Sequence, residues 1–224
     1  MERHEHNHPD RDTAFIFAGG DATPVDVASI DARSAVVIAA DSGLDHAERA
    51  GITADLVIGD MDSVTPAALQ RAQRSGSEVV RHSRHKDATD LELALDAVVA
   101  RDLRRAIIVG GAGGRLSHLL GNATLITAAQ YREIELEWWF GSTRVLVTRP
   151  GRSTVIKASP GDLVSLIPLE PVTGITTSGL EWKLESDHLA RGTSRGISNR
   201  LVGTAGSVSI GGGILLVVIE RGDA

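Results

Sequence analysis

The chain has 224 residues, and its 29 Asp and Glu against 23 Lys and Arg give a formal net charge of -6 at pH 7. This balance gives no broad electrostatic attraction for nucleic acid or for an anionic membrane. The absence of cysteine excludes disulfides, thiolate metal sites and a cysteine nucleophile. No apolar run approaches the roughly 20 residues that span a bilayer, and the N-terminus lacks the apolar core of a signal peptide. We therefore expect a cytoplasmic protein that binds neither membrane nor nucleic acid.

Residues 1–12, MERHEHNHPDRD, contain almost no apolar side chain and are expected to form a mobile tail. His4, His6 and His8 alternate, so an extended chain would place them on one side, where they could capture a metal ion. A solvated tail is the favoured interpretation, because no core is in sight to fix the rings.

Residues 13–143 alternate short apolar runs with amphipathic stretches, the pattern of an α/β domain. The predicted strands are residues 15–18, 36–40, 56–59, 107–109 and 135–140, and the predicted helices are 43–50, 66–75, 89–101 and 116–129. This order predicts a mainly parallel, Rossmann-like sheet with helices on both faces. Thr65 before Pro66 predicts an N-cap followed by proline in the first turn.

Residues 144–224 lose the helical pattern and predict a small all-β sandwich domain. The predicted strands are residues 145–148, 154–157, 163–168, 181–184, 207–210 and 214–219. Residues 211–213, three consecutive glycines, predict a hairpin turn between the last two.

Glycine and acidic residues follow four of the predicted parallel strands. These segments are Gly19-Gly20-Asp21, Asp41-Ser42-Gly43, Gly59-Asp60-Met61-Asp62-Ser63 and Gly110-Gly111-Ala112-Gly113-Gly114-Arg115. In an open parallel sheet, ligands bind beyond the carboxyl ends of the strands. Four such ends together predict a phosphate or nucleotide site with a divalent ion.

Asp60 and Asp62 are the sharpest local feature. In extended chain their carboxylates would face the same way about 7 Å apart and could hold Mg²⁺. The alternative is a turn in which each aspartate binds nearby backbone amides. The next acidic segment also has two compatible interpretations: Asp87 and Asp90 as helix-capping residues, or Asp90 as a metal ligand beside the phosphate partner Lys86.

The glycine-dense segment that ends at Arg115 could bring backbone and guanidinium to phosphates, or could be a tight turn between a strand and a helix. It lacks the Gly-Lys-Ser/Thr of a Walker A loop. His118 and Asn122 follow one helical turn apart and face the same way, with a buried, hydrogen-bonded His118 as the alternative.

Trp182 is the single aromatic residue after Phe140. It is either filler of the β core or a stacking platform. The segment Gly192-Thr193-Ser194-Arg195-Gly196-Ile197-Ser198-Asn199 is a polar loop that could read a heteroaromatic ring through hydrogen bonds, or be only a connection.

In this order and spacing, the motifs resemble the thiamine pyrophosphokinase (thiamine diphosphokinase) family from about Phe15 to Ile219. The matching segments are Gly19-Gly20, AADSG at 39–43, DLVIGDMDS at 55–63, KDATDLELAL at 86–95, GGAGGRLSHLLGN at 110–122, TTSGLEWKL at 176–184 and GTSRGISN at 192–199. The resemblance implies an N-terminal α/β catalytic domain, a C-terminal β-sandwich, and a homodimer with active sites between subunits. It also implies Mg²⁺-dependent transfer of diphosphate from ATP to thiamine, giving thiamine diphosphate and AMP.

The resemblance further implies roles for individual residues. Asp41, Asp60, Asp62 and Asp90 would form the acidic site for Mg²⁺ and ATP. The chemistry of the reaction adds that one carboxylate, Asp60 or Asp90, could accept the proton of the hydroxyl group. Gly19, Gly20, Lys86, Thr89, Arg115, His118 and Asn122 would contact the nucleotide or its surroundings. Trp182, Ser194 and Asn199 match the segments that hold thiamine in the family.

Two positions depart from the family's pattern. Ser117 stands where an acid is expected, so a hydroxyl keeps hydrogen bonding but loses a charge, and Ser42 replaces a glycine. Two other functions stay open at this point: a silent thiamine- or nucleotide-binding homologue, and a diphosphokinase for another alcohol such as a pterin. The retained acids argue against a silent protein, because clustered carboxylates are costly unless a cation or solvent relieves them.

Overall fold

The structure, a computed structural model, describes residues 11–20, 31–84 and 87–222. Residues 1–10 of the expected tail, as well as Asp21 and Lys86, lie outside these ranges. The described residues form two compact units, one that ends at Gly111 and one that begins at Ala112. Within the described ranges, no helix is both long and apolar enough to cross a membrane.

Among its described residues, the first unit contains five strands and three helices. The strands are β1 (Thr13–Ala18), β2 (Val36–Ala40), β3 (Leu56–Gly59), β4 (Glu78–Arg81) and β5 (Arg105–Gly110), and the helices are α1 (Gly43–Arg49), α2 (Pro66–Arg74) and α3 (Asp90–Ala100). The predicted strands and helices of this region are confirmed, with ends that differ by no more than two residues. Strand β4 was not predicted, because its four residues Glu-Val-Val-Arg form neither a buried run nor a clear alternation.

All five strands of the first unit are parallel, in the order β5-β1-β2-β3-β4. The mainly parallel sheet expected from the sequence is therefore confirmed. The chain adds strands on one side of β1 until β4 and then crosses back to place β5 on the other side. The order reverses between β1 and β5, which makes this the switch point where a parallel sheet opens a crevice for ligands.

Buried apolar runs explain why these segments form the inner strands. Every residue of β3 is buried, as are all but the first residues of β1 and β2. Helix α1 contributes Leu44 and Ala47 to the core. The predicted cap of α2 is confirmed, since Thr65 Oγ1 accepts a hydrogen bond of 3.2 Å from Ala68 N ahead of Pro66.

The second unit holds one α-helix, one short 3-10 helix and nine strands, counted over its described residues. They are α4 (Leu116–Leu125), the 3-10 helix Ala129–Tyr131, β6 (Glu135–Phe140), β7 (Thr143–Thr148), β8 (Ser153–Lys157), β9 (Leu163–Pro168), β10 (Val172–Ser178), β11 (Asp187–Leu189), β12 (Asn199–Arg200), β13 (Ala205–Ser209) and β14 (Leu215–Glu220). Strands β10, β11 and β12 were not predicted from the sequence.

The strands of this unit form two antiparallel arrays. One has the order β12-β9-β14-β7-β6 and the other β11-β10-β13-β8. Leu146 and Val217 from the first array and Ile156 and Val208 from the second belong to one buried cluster. The two arrays therefore share a single hydrophobic core.

Two predictions for this unit are wrong. Residues 181–184 are not a strand. The residue before them, Leu180, forms an isolated β-bridge with Leu201. The three glycines do not close a hairpin, because β13 pairs with β10 and β8 whereas β14 pairs with β7 and β9. The glycine turn carries the chain from one array to the other. Gly213 has a φ of +88°, and a Cβ there would lie 2.3 Å from the carbonyl oxygen of Pro171.

Candidate active site

Three aspartates meet at the carboxyl ends of β2 and β3. Asp41 directly follows β2, and Asp60 and Asp62 follow β3. One carboxylate oxygen from each lies within 4.8 Å of the others. Because parallel strands end at the same edge, neighbouring strands place acids far apart in sequence side by side. The structure therefore brings these three aspartates together at the edge where the sequence predicted an acidic cluster.

The backbone around the cluster is held in an uncommon conformation. Asp41 and Met61 have φ angles of +46° and +64°, in the left-handed region that aspartate tolerates better than most residues. Asp41 N donates to Ile58 O at 2.9 Å, and Asp62 N donates to Asp60 Oδ1 at 3.0 Å. The turn interpretation of Asp60 is therefore correct, and it coexists with the clustering of the three carboxylates.

Asp41 is the buried member of the cluster, with 7% of its surface exposed. Burial raises the pKa of its carboxyl group, and the neighbouring charges of Asp90 and Asp60 raise it further. Among the residues that the structure describes, nothing hydrogen-bonds to its Oδ1 atom. A buried carboxylate oxygen without a partner is costly, so this atom is suited to a cation.

Asp62 is the solvent-facing member and behaves in the opposite way. The Ser63 hydroxyl donates to Asp62 Oδ1 at 2.9 Å, and Arg84 pairs with Asp62 Oδ2 at 2.5 Å. These two contacts, the serine first, lower the pKa of the Asp62 carboxyl group. It stays ionised at neutral pH, ready to act as a hard oxygen ligand.

Asp90 approaches the cluster from α3. A Cβ on Gly59, whose φ is +148°, would lie 2.9 Å from Asp90 Oδ1 and 3.1 Å from Asp41 Cβ. Glycine is required here because a side chain would fill the space beside both acids. Thr89 caps α3 by accepting from Glu92 N at 3.2 Å, so the interpretation of Asp87 as the N-cap is wrong.

The glycine loops after β1 and β5 meet at the switch point. Gly111 N donates to Gly19 O at 2.9 Å. A Cβ on Gly110, whose φ is +85°, would lie 2.8 Å from Ala18 O and 3.3 Å from His46 Nδ1. The two loops are thus packed backbone to backbone, and Gly20 continues the first of them.

His46 is a residue of this region that the sequence reasoning missed. It lies in α1, and its imidazole hydrogen-bonds to the backbone of Ala18 and Gly20. Burial lowers its pKa, with the charge of Arg49 as the next cause. A single histidine on a short helix carries no sequence signal that would have separated it from a surface residue.

Three further candidates belong to the second unit. Arg115 directly precedes α4, whereas His118 is exposed on that helix and Asn122 is half-buried one turn later. The alternative of a buried His118 is therefore wrong. Ser117 is exposed as well.

The remaining candidates, Trp182, Ser194 and Asn199, differ in exposure. Trp182 is 57% exposed and Asn199 only 5%. The interpretation of Trp182 as core filler is wrong, because its side chain is exposed and the buried cluster that the two arrays share consists of aliphatic side chains. The Ser194 carbonyl accepts from Ile197 N at 3.1 Å, which closes a turn within the 192–199 loop.

A cavity of about 560 Å³ lies beside β6, β7 and β8. Its walls include Glu137, Arg149 and Arg152, and no predicted site residue within the described ranges lines it. Burial lowers the pKa of Arg149, which donates to the carbonyls of Thr127 and Ala128. This arginine joins chain segments and is not part of the candidate site.

These features define an α/β protein with a candidate cation site at the carboxyl ends of a parallel sheet, followed by a unit of two antiparallel arrays. Comparison with known proteins also finds two parts, but they meet between residues 138 and 153 and not at residue 111. The family model "Thiamin pyrophosphokinase, catalytic domain" matches residues 27–138, and "Thiamin pyrophosphokinase, vitamin B1 binding domain" matches residues 153–215. The chain belongs to the thiamin pyrophosphokinase family.

Individual relatives agree over most of the chain. The thiamine pyrophosphokinase of Bacillus subtilis is 28% identical over 208 residues, which cover 92% of this chain and 97% of the relative. The crystal structure of a B. subtilis thiamine pyrophosphokinase has a TM-score of 0.83 and covers 95% of this chain and all of its own, at 28% identity. The thiamin pyrophosphokinase structure from Geobacillus thermodenitrificans has a TM-score of 0.81, also at 28% identity, and covers 95% of this chain and 99% of its own.

Proposed function

We propose that this protein transfers diphosphate from ATP to the hydroxyl group of thiamine. The alcohol oxygen attacks the β-phosphorus of ATP, the bond from that phosphorus to the oxygen of the α-phosphate breaks, and AMP leaves with the electron pair. The single observation that carries the proposal is the cluster of Asp41, Asp60 and Asp62, in a chain that matches both family domains. Clustered carboxylates of this kind suit a reaction whose catalysis is alignment and charge neutralisation.

The donor set of the cluster fits Mg²⁺. Magnesium prefers hard oxygen ligands, and the buried Oδ1 atom of Asp41 has no hydrogen-bond partner among the described residues. We assign Asp41, Asp60, Asp62 and Asp90 as the residues that hold the ion. When bound there, Mg²⁺ would neutralise charge on the phosphates of ATP and on the departing AMP.

The protein's own residues position the nucleotide and move the proton. We assign the nucleotide contacts to Gly19, Gly20, Lys86, Thr89, Arg115, His118 and Asn122. Arg115 can bind phosphate oxygens bidentately and so stabilise the transferring group. A carboxylate of the cluster, Asp60 or Asp90, accepts the proton of the thiamine hydroxyl. We assign the thiamine site to the exposed Trp182 and Ser194, with the buried Asn199 hydrogen-bonded to the backbone of Trp182.

The two family models support a division of labour between the halves of the chain. We assign residues 13–143 to a Rossmann-like domain that binds ATP, and residues 144–224 to a β-sandwich that binds thiamine and forms the dimer. The proposed use of ATP and Mg²⁺ is in keeping with a cytoplasmic location.

We further propose that the active protein is a homodimer with its active sites at the subunit interface. Helix α4 supports a subunit interface that extends beyond residues 144–224, because none of its ten described residues is buried. Its side chains Leu116 and Leu120 are 67% and 58% exposed. Adjacent exposed leucines on one helix face are typical of a surface that a partner covers.

An assay with thiamine, ATP and Mg²⁺ tests the proposed function. AMP and thiamine diphosphate are followed by chromatography, with EDTA as the metal-free control, and we expect equal amounts of both products only when Mg²⁺ is present. Thiamine binding without AMP release would refute the proposed activity and favour a silent binder, for which Ser117→Asp is the variant to restore turnover. Neither binding nor turnover would indicate another acceptor alcohol.

A further inference from the structure

In the second unit, the buried side chain of Asn199 forms hydrogen bonds to the backbone of the exposed residue Trp182. Trp182 is 57% exposed, whereas Asn199, seventeen residues later in the chain, is 5% exposed. Exposed tryptophan is costly in apolar surface, and a buried amide needs its hydrogen bonds satisfied. A contact that couples the two therefore calls for an explanation.

The amide of Asn199 binds both backbone polar groups of Trp182. Trp182 N donates to Asn199 Oδ1 at 3.1 Å, and Asn199 Nδ2 donates to Trp182 O at 2.7 Å. Arg200 N donates to the same Oδ1 at 2.8 Å. An amide oxygen accepts two hydrogen bonds and its nitrogen donates two. Three of the four positions on Asn199 are thus filled by backbone, which leaves one N–H.

The segment around Trp182 needs this support because it is not a strand. Glu181 N donates to Arg200 O at 2.9 Å before Trp182, and Leu184 N donates to Thr177 Oγ1 at 2.9 Å after it. Between these two bonds, the amide of Asn199 supplies the hydrogen bonds to Trp182 N and O that the backbone of a neighbouring strand would otherwise supply.

Asn199 is itself fastened to the first array. It pairs with Val164 of β9, and the preceding Ser198 N donates to the buried Ser165 Oγ at 3.1 Å. A continuous set of contacts therefore runs from β9 through Asn199 to the backbone of Trp182. Rigid support of this kind fixes where an exposed ring stands before any ligand arrives.

We propose that Asn199 is a positioning residue, which fixes the backbone of Trp182 so that its indole forms a preset platform for thiamine. This inference rests on the proposed function, with thiamine as a flat, cationic heteroaromatic substrate that an indole face attracts. Asn199 acts through Trp182 and does not itself contact the substrate. Its loss therefore weakens thiamine binding only as long as Trp182 is present.

A double-mutant cycle tests this. We compare Asn199→Ala, Trp182→Ala and the double variant, and measure the KM of thiamine, the KM of ATP and kcat. The matched control is Thr177→Val. Thr177 is buried like Asn199, and its Oγ1 accepts the hydrogen bond from Leu184 N, two residues beyond Trp182.

We expect Asn199→Ala to raise the KM of thiamine about tenfold, which corresponds to about 1.4 kcal/mol, with the KM of ATP nearly unchanged. In the Trp182→Ala background the same change should have no further effect. Additive effects of the two substitutions would mean that Asn199 contacts thiamine directly, and would overturn the inference. An equal rise in Thr177→Val would reduce Asn199 to ordinary structural support and overturn it as well.

A spectroscopic readout keeps the test independent of turnover. The chain has three tryptophans, and 5-fluorotryptophan labelling gives one ¹⁹F signal for each, with that of Trp182 assigned by Trp182→Phe. We expect Asn199→Ala, or Asn199→Ser if the alanine variant does not fold, to shift and alter the width of the Trp182 signal, while Thr177→Val does not. An unchanged Trp182 signal in the asparagine variants would refute the positioning role. A wild-type protein without thiamine-dependent AMP release would refute the proposed function instead.

Discussion

Neutralising Asp41 should stabilise the metal-free protein and abolish its response to Mg²⁺. Asp41 is buried beside Asp60, and no hydrogen bond from the described residues reaches its Oδ1 atom. Asn in its place removes the charge but keeps an acceptor oxygen. It also tolerates the φ of +46° at this position, so the substitution brings no new backbone strain.

The size of the effect follows from the distance. Oxygens of Asp41 and Asp60 lie within 4.8 Å, where an effective dielectric constant of about 20 gives roughly 3.5 kcal/mol of repulsion between unit charges. Solvent at the half-buried Asp60 screens part of this, so we expect a measured gain of about 1 to 2 kcal/mol. For a chain of this size that gain raises the melting temperature by roughly 2 to 8 °C.

Thermal unfolding of EDTA-treated protein, with and without added Mg²⁺, measures both halves of the prediction. A ligand at about 100 times its Kd stabilises the wild type by about 2.7 kcal/mol, and Asp41→Asn should lose most of that increment. Asp45→Asn, an equal charge change four residues away on α1, is the control and should keep it. The reasoning is refuted if Asp41→Asn lowers the melting temperature of the metal-free protein, or if Mg²⁺ stabilises it as much as wild type.

Three further changes test other parts of the structure. Asp60→Asn should lower kcat far more than it changes the KM of thiamine, and steady-state kinetics that show wild-type kcat would contradict its metal role. Gly43→Ala should lower the free energy of unfolding by about 3 kcal/mol or more, because the added Cβ would lie 1.9 Å from Phe17 O. Urea unfolding measures this change. The control is Gly121→Ala, whose Cβ would meet nothing within 4 Å and which should be neutral or stabilising. The pKa of Asp187 is lowered from 3.8 to about 2 by its pairing with a nearby guanidinium. Its contribution to stability is therefore complete above pH 3.8 and lost as the pH falls towards 2. Asp187→Asn should flatten this part of the stability profile, and unchanged acid sensitivity would be the contrary result.

The first unit could be predicted from the sequence because its strands are buried on both faces. Val36–Ala40 and Leu56–Gly59 are short apolar runs with glycine or aspartate directly after them, and both were placed with the correct ends. β4 escaped because an edge strand has less to bury, and its Glu78 and Arg81 are exposed. Burial on both faces leaves a strong sequence signal, whereas an edge position does not.

The second unit was harder to predict because alternation along a strand does not reveal its partner. The pattern gave the last two strands nearly the correct residues but joined them in a hairpin, whereas they belong to different arrays. Residues 181–184 alternate like a strand, yet the N–H groups of Trp182 and Leu184 donate to the side chains of Asn199 and Thr177 and not to the backbone of a neighbouring strand. Long-range hydrogen bonds of this kind have no local signature.

The sequence predicted which aspartates form the acidic site, but not how their exposure to solvent differs. Strand ends located Asp41, Asp60 and Asp62, but the sequence gave no indication that one carboxylate is buried and another faces solvent. His46 escaped altogether, since its contacts are with the backbone of a loop that lies far from it in sequence.

The central position of β14 has a consequence for how the second unit is made. β14 lies between β7 and β9, and pairs with both over most of its length. These two strands therefore have nothing between them during synthesis until residues 215–220 leave the ribosome. The array closes by inserting its last-made strand into the middle, which makes its folding late and dependent on contacts distant in sequence. Until then, the edges of β7 and β9 that will pair with β14 are open to chaperones or to aggregation, whereas the strands of the parallel sheet in the first unit are all made earlier.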